Sequence, residues 1–312
     1  MKTVVYNQFG GTNVLQLTET ETPTAGTNEV LVRIKAVSIN PIDWKIRRGD
    51  MKLMSGSHFP KQVGADFAGV VEAVGSGVSD FSVGDEVFGA VDVMKHGVLA
   101  DFAAVPVKSI WHKPAQLTFA QAASIPVVGA AAYTALIDIA HIGAGSEVLL
   151  NGASGGVGML AIQIARQQGA TVTAVVGPKG VPFARQWGAN EVIDYTRQDV
   201  RSLNKQFDVV FDLAGKLPFH EAVHLMKDHA VFINPVPTPV GIISTAVTNL
   251  VANRKNKMLM SNPNSTSMEY LTKAVENGLH IEVSRTFPMT EVVAAYEYAE
   301  KGGYIGKVVI EL

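Results

Sequence analysis

The run Asn151-Gly152-Ala153-Ser154-Gly155-Gly156-Val157-Gly158 is the stretch of this chain whose residue types and spacing most directly prescribe chemistry. It follows the apolar triplet Val148-Leu149-Leu150 and opens a helical pattern over residues 156–168, and a glycine pattern gains meaning in that strand–turn–helix setting. Set on the dinucleotide-binding fingerprint, it reads Ala153-x-Gly155-x-x-Gly158. Gly155 would let the backbone approach a pyrophosphate, and Gly158 would let the helix pack closely on the strand before it. The helix N-terminus would add free N–H groups and a partial positive charge, both favourable to phosphate.

A site of this kind that selects NADH usually carries an Asp or Glu about 20 residues beyond the glycines, where it binds the ribose 2′-hydroxyl. Here residues 171–190 contain no acidic residue, and the second strand ends in Val176-Gly177-Pro178-Lys179. A carboxylate would repel a 2′-phosphate, whereas Gly177 leaves room for one and Lys179 offers it a point charge. NADPH is the expected cofactor.

The other reactive side chains narrow the field. Cysteine is absent, which removes disulfides, thiolate nucleophiles, iron–sulfur clusters and zinc sites built on sulfur. His220-Glu221-Ala222-Val223-His224 matches the zinc-peptidase pattern, two histidines one helical turn apart with a Glu between. It falls in a helix expected to pack through Phe219, Val223 and Met226, so a structural helix is the reading. His58, His96, His112, His141, His229 and His280 show no ligand spacing. The 26 Lys+Arg against 28 Asp+Glu leave a net charge of −2, which gives no whole-chain attraction to nucleic acid or to an anionic membrane. The first residues turn polar too early for a secretory signal. The longest apolar stretch, residues 240–252 (VGIISTAVTNLVA), is interrupted by Ser and Thr and falls short of the roughly 20 residues that span a bilayer. A buried helix is expected there, no membrane partner, and a cytoplasmic location.

The elements that must position the glycine turn can be read on either side of it. The chain has 312 residues, enough for two domains or one large α/β unit. Up to about residue 115 it reads mainly as β-structure: residues 29–37 alternate charged and apolar positions, and 69–74 and 84–88 are short apolar runs between glycines. Gly64, Gly69, Gly75, Gly77 and Gly84 suit a tightly turning small barrel. From about Phe119 the texture becomes Ala-rich helix and then alternates. Strands are expected at 148–150, 171–176, 191–193, 207–212 and 230–234, with helices at 156–168, 181–187 and 218–227. Alternation of this kind with β-branched strands means a parallel sheet covered on both faces, a doubly wound domain. Beyond the loop Ser261-Asn262-Pro263-Asn264 come helices over 268–277 and 290–301 and a terminal strand over 307–311, too little for a core of their own. The expected division is a discontinuous β-rich domain of residues 1–125 and 263–312 around a nucleotide-binding domain of residues 126–262.

Several longer stretches then resemble one family. They are residues 38–49 (SINPIDWKIRRG), 64–75 (GADFAGVVEAVG), 83–89 (VGDEVFG), the glycine turn, 187–195 (WGANEVIDY) and the terminal Gly306-Lys307-Val308-Val309. The chain resembles the medium-chain dehydrogenase/reductase superfamily, in its zinc-free quinone oxidoreductase-like (zeta-crystallin-like) branch, over essentially its whole length. The resemblance implies an α/β fold in which a Rossmann doubly wound parallel sheet joins a GroES-like β-rich barrel domain, with the nicotinamide in the cleft. It also implies that Ser154, Gly155, Gly156 and Val157 line the pyrophosphate, that Lys179 and Tyr195 flank the adenosine phosphate, and that Lys307 approaches the cofactor. One departure is Ala131, where related sequences often carry Thr, which removes one hydrogen bond on the nicotinamide side.

Zinc-dependent relatives hold their metal with Cys, then His-Glu after a glycine; here Asn40 stands at the Cys position, and Ala65 and Asp66 follow Gly64. No metal is expected, and without a Lewis acid the oxidation of a simple alcohol is disfavoured. Hydride delivered to a quinone or to the β-carbon of an enone pushes charge onto an oxygen that hydrogen-bond donors can stabilise. The expected function is NADPH-dependent, metal- and flavin-free reduction of quinones or α,β-unsaturated carbonyls. Asn40 is the candidate donor to the substrate oxygen and Lys45 the candidate proton donor or ribose contact. The alternative is a non-catalytic NADPH-binding sensor or partner-binding protein on the same fold. Asn256-Lys257-Met258-Leu259-Met260 reads as an edge strand that would pair with its own copy, so a homodimer is expected, burying residues 240–252 in the same contact.

Overall fold

A computed structural model describes residues 1–234 and 253–312. The chain divides into two compact units, one comprising residues 1–127, 263–276 and 283–312, the other residues 128–262 and 277–282.

The second unit is built on six strands, all parallel, in the spatial order Glu191–Asp194, Thr171–Val176, Glu147–Asn151, Phe207–Asp212, Met226–Asn234, Lys255–Met258. The first strand in sequence, Glu147–Asn151, lies in the middle; the chain winds outward from it one way and then returns to wind the other way. That reversal creates a crevice at the carboxyl ends of Glu147–Asn151 and Phe207–Asp212, the place where open α/β sheets bind ligands. The central strands are buried nearly end to end because both faces are covered: Leu149, Val175, Phe207, Val210 and Phe232 form one core on the sheet with Leu217, Leu225 and Met226. The stretch expected to be helical over 218–227 is instead a single turn, Phe219–Ala222, and a 3₁₀ turn, and the strand begins at Met226. Met226 pairs with Phe207 and is fully buried, so sheet pairing overrides the helical spacing of its apolar neighbours. The apolar stretch over 240–252 lies outside the described residues.

The first unit carries a seven-stranded sheet and a three-stranded one. Its spine is Glu29–Ser38, flanked by Asp66–Val74 and Phe102–Pro106 and, antiparallel, by the terminal strand Lys307–Glu311. Val283–Pro288, not anticipated from the sequence, runs parallel to Lys307–Glu311. Inside sit Tyr6, Ile34, Phe67, Leu99, Tyr296 and Ile310. The region up to residue 115, expected to be poor in helix, contains the helix Pro41–Arg48. Its signals are local: Asn40 stands at the N-cap, Pro41 begins the first turn, and Gly49 ends the helix at φ 89°, a conformation a Cβ would strain.

Candidate functional site

At the head of the doubly wound sheet the glycine turn has the shape its sequence implies. Gly152 leaves the strand at φ 87°, and a Cβ there would lie 2.9 Å from the backbone nitrogen of Ala214. Gly155 is the N-cap of the helix Gly156–Gln167, and no atom would come within 4 Å of a Cβ built on it. At Gly158 a Cβ would fall 2.5 Å from the backbone of Ala153, so helix and turn touch there without intervening side chains. The turn is thus open at Gly155 and closed at Gly158, which leaves helix N–H groups facing unfilled space.

Two further segments come up beside it. Gly177 follows the strand Thr171–Val176, and a Cβ at Gly177 would meet the Tyr195 hydroxyl at 3.1 Å. Tyr195 is 61% exposed and its N–H donates to the Val176 carbonyl at 3.1 Å. A Cβ at Gly180 would meet Cβ of Ser154 at 2.9 Å, so the Ser154 and 177–180 turns adjoin. Lys179 is exposed between them. Sequence reading missed Asp212, which is buried and accepts Nδ2 of Asn151 at 2.8 Å and the N–H of Leu217 at 2.8 Å; it ties the two strands that flank the crevice. The residues present fit a dinucleotide phosphate group: an unfilled glycine cradle at a helix N-terminus, and beside it a second strand that ends without a carboxylate.

In the first unit three neighbouring strands bring another set together. Register places Asp66 and Val309 on either side of Ser38, so Lys307, two residues before Val309, reaches the segment that follows Ser38. Lys307 is 3% exposed, and its ammonium donates to the Ile39 carbonyl at 2.8 Å and to Asn40 Oδ1 at 2.6 Å. The other end of the Asn40 amide donates to Asp66 Oδ2 at 2.9 Å and, more distantly, to the Ser38 carbonyl at 3.5 Å. Asp66 also accepts the Val127 N–H on Oδ1 at 3.1 Å. Asp43 accepts the Asn40 N–H on Oδ2 at 2.7 Å, while its Oδ1 is buried without a partner. Burial pushes the Asp43 carboxyl up to about 7, offset in part by the Asn40 N–H and by Lys307. Burial likewise pushes Asp66 up to about 6, against the pull of Lys307, and holds the Lys307 ammonium below the usual lysine range against the pull of Asp66 and Asp43.

In this arrangement two expected contacts meet competitors. Asn40 and Lys307 spend their polar atoms on each other and on Asp66, inside one unit, so a substrate oxygen would have to compete for the Asn40 amide and a phosphate for the Lys307 ammonium. Lys45 lies on the same helix as Asp43 but outside this network, half-buried. Sequence reading names Asp66 only for its place after Gly64-Ala65 and does not name Asp43 as a site residue; the signal for Asp43 is the Asn-Pro-x-Asp start of a helix, where the third helical residue reaches back to the cap N–H.

A metal on Asn40 Oδ1 would share the space the Lys307 ammonium fills, and among the described residues no three His, Asp or Glu side chains gather in a metal-holding group. His220 faces Glu221 at 3.7 Å while His224 Nε2 lies 2.8 Å from the Arg201 carbonyl, so the pair does not share a ligand.

The chain matches two family models, one described as an alcohol dehydrogenase GroES-like domain over residues 26–115 and one as a zinc-binding dehydrogenase over residues 187–310. It is 31% identical to the chloroplast envelope quinone oxidoreductase homolog of Arabidopsis thaliana, with 100% of this chain and 98% of that protein covered. It is 33% identical to the chloroplastic NADPH-dependent alkenal/one oxidoreductase of the same plant, over 99% of this chain and 79% of that one. Among solved structures, the quinone oxidoreductase from Coxiella burnetii superposes with a TM-score of 0.92 at 33% identity, covering 100% of this chain and 99% of that one.

Proposed function

The chain belongs to the medium-chain dehydrogenase/reductase superfamily, in its quinone oxidoreductase-like branch of NAD(P)-dependent oxidoreductases, and we propose that it reduces quinones or α,β-unsaturated carbonyls at the expense of NADPH. The observation that carries the reading is the open Gly155 cradle set beside a second strand that ends in Val176, Gly177 and Lys179 and carries no carboxylate of its own. When bound, the dihydronicotinamide supplies a hydride. Ser154, Gly155, Gly156 and Val157 offer backbone N–H groups and space to the pyrophosphate, and Gly158 holds the helix close enough for its N-terminal charge to count. Gly177 gives a 2′-phosphate room, Lys179 gives it a counter-charge, and the exposed Tyr195 ring walls the same spot. Lys45, half-buried on the helix Pro41–Arg48, is the candidate to deliver a proton. The names of the relatives, which include a quinone oxidoreductase homolog and an alkenal/one oxidoreductase, support the substrate class.

The test is NADPH oxidation against a panel of quinones, 2-alkenals and vinyl ketones. Turnover with at least one acceptor is expected. Tight NADPH binding with no turnover would favour the alternative, a cofactor-binding protein with a non-catalytic role.

Assembly and location complete the reading. Lys255–Met258 ends the row of six strands, and the homodimer proposed from it would extend that sheet. Met260 is 77% exposed beyond the strand, whereas Leu259 is buried within its own chain. Light scattering at micromolar concentration should give twice the chain mass. A cytoplasmic location goes with the reading; among the described residues no helix is long and apolar enough to cross a membrane.

A further inference from the structure

A side-chain amide has two ends of opposite chemistry, and in the first unit the neighbours of Asn40 decide which end goes where. Asn40 is 1% exposed, so protein groups rather than water meet its side chain. A lysine ammonium can only donate and a carboxylate can only accept. The atom 2.6 Å from Lys307 Nζ is therefore Asn40 Oδ1, and the atom 2.9 Å from Asp66 Oδ2 is Asn40 Nδ2. The other oxygen of Asp66 accepts the N–H of Val127 at 3.1 Å. Val127 lies in the first turn of the helix Pro126–Tyr133, and because Pro126 has no N–H, this is the first donor that helix offers. Donor and acceptor thus alternate without a break from Val127 through Asp66 and Asn40 to Lys307. Position 66 needs two acceptor oxygens for Asn40 to keep this orientation.

We propose that Asp66 is a positioning residue for the reduction: it holds the Asn40 amide with Nδ2 away from Lys307, so that position 40 presents an N–H, never a carbonyl, to the substrate oxygen. The inference rests on the reductase reading, in which Asn40 is the candidate donor to that oxygen, and deepens it. The Asn40 amide nitrogen has two hydrogens to give. One goes to Asp66. The second has only the Ser38 carbonyl, at 3.5 Å, the outer limit of a hydrogen bond, so a substrate oxygen has a weak contact to displace. The Lys307 ammonium on Oδ1 draws electron density from the amide, which strengthens that N–H as a donor.

The experiment exchanges the two side chains in the full-length protein. In Asp66→Asn alone, the new amide has one acceptor oxygen for two donors, so one buried donor must face another, and the variant should melt below wild type. In Asn40→Asp with Asp66→Asn the alternation returns: the new amide accepts from Val127 and donates to the new carboxylate, which accepts from Lys307. That double variant should recover most of the lost melting temperature, yet it offers the substrate no N–H. With saturating NADPH and the best acceptor of the panel, its kcat should fall about 100-fold, the cost of one oxyanion donor. Its Kd for NADPH, read by fluorescence, should stay that of wild type. A purely structural Asp66 would instead restore kcat along with the melt. The role is overturned if the double variant keeps more than about a tenth of wild-type kcat, if Asp66→Asn melts as wild type does, or if the double variant is no more stable than Asp66→Asn. Should Asp66→Asn not fold, a folded double variant supports the alternation and its kcat decides the role, and an unfolded one overturns it. Wild type that binds NADPH and reduces nothing in the panel defeats the reductase reading and this role with it, whereas wild-type turnover beside any of the overturning results defeats the role of Asp66 alone.

Discussion

The same substitution placed three residues apart in the glycine turn should have opposite consequences. At Gly158 an alanine methyl would sit 2.5 Å from Cα, C and O of Ala153, about 1 Å inside the 3.5–4.0 Å at which carbon atoms rest in contact. The clash is with backbone, which cannot rotate away, so helix and turn must separate. Overpacking of this kind costs about 1–3 kcal/mol, and at roughly 2–4 °C per kcal/mol Gly158→Ala should melt about 2–12 °C below wild type. At Gly155 the backbone is at φ −83°, ψ 179°, which any residue adopts, and a methyl meets nothing within 4 Å. Alanine there narrows the unfolded ensemble and should leave stability unchanged or raise it by about 0.4–1 kcal/mol. That methyl nevertheless occupies the space through which a phosphate would approach the helix N–H groups. Gly155→Ala should therefore bind NADPH at least about tenfold more weakly, about 1.4 kcal/mol, and lose most of the thermal shift that NADPH gives wild type.

Thermal melts with and without NADPH, together with a fluorescence titration of NADPH, read all of these quantities on one preparation. If Gly155→Ala melts well below wild type, the openness at Gly155 is wrong. If it is as stable as wild type and binds NADPH as tightly, the turn is open but is not the phosphate cradle, and the cofactor assignment goes with it.

Charge at the second strand gives a related pair of outcomes. Lys179→Ala should weaken NADPH about tenfold while leaving NADH nearly unchanged, and Gly177→Asp should move the preference further toward NADH, with the exposed Tyr195 ring yielding to the new side chain; equal losses for both cofactors in competitive titrations would make Lys179 a bystander. For pH, Asp43 is held up to about 7 when folded, against an ordinary carboxyl in the unfolded chain. The folded state thus holds an extra proton between about pH 4 and 7, so this group lowers stability as pH rises through that window. Asp66, raised to about 6, acts in the same sense, whereas Lys307, lowered by burial, makes stability rise with pH below its unfolded value. Asp43→Asn removes the first contribution while its amide oxygen can still accept the Asn40 N–H, and Lys307 keeps Asp66. The variant should gain on wild type between pH 5 and pH 8 in denaturant melts, and a constant difference across that range would show that Asp43 does not titrate there.

The two halves of the candidate site differ in how far the sequence discloses them, and the reason is the range of the interactions. The glycine turn is made by residues within eight positions of one another, between a strand and a helix whose periods are written locally, so its shape follows from order alone. The missing acid after the second strand is legible for the same reason, because the sheet puts that strand's end beside the turn in a doubly wound fold. The helix that carries Asp43 was legible too, through Asn40, Pro41 and Gly49, yet it sits in a stretch whose glycine punctuation and alternation favoured strands, and the local caps were outweighed. What no local pattern contains is the meeting of Lys307 with Asn40, across 267 positions. It depends on Lys307–Glu311 pairing beside Glu29–Ser38 and on Asp66 landing opposite Ser38 rather than one residue either way, since a single-residue slip would turn the carboxylate to the other face of the sheet. Seen from the sequence, Lys307 is a basic residue near a glycine, as ready to meet a phosphate as a carboxylate. Register sets what a phosphate would have to compete with, by placing its ammonium beside the Ile39 carbonyl and Asn40 Oδ1.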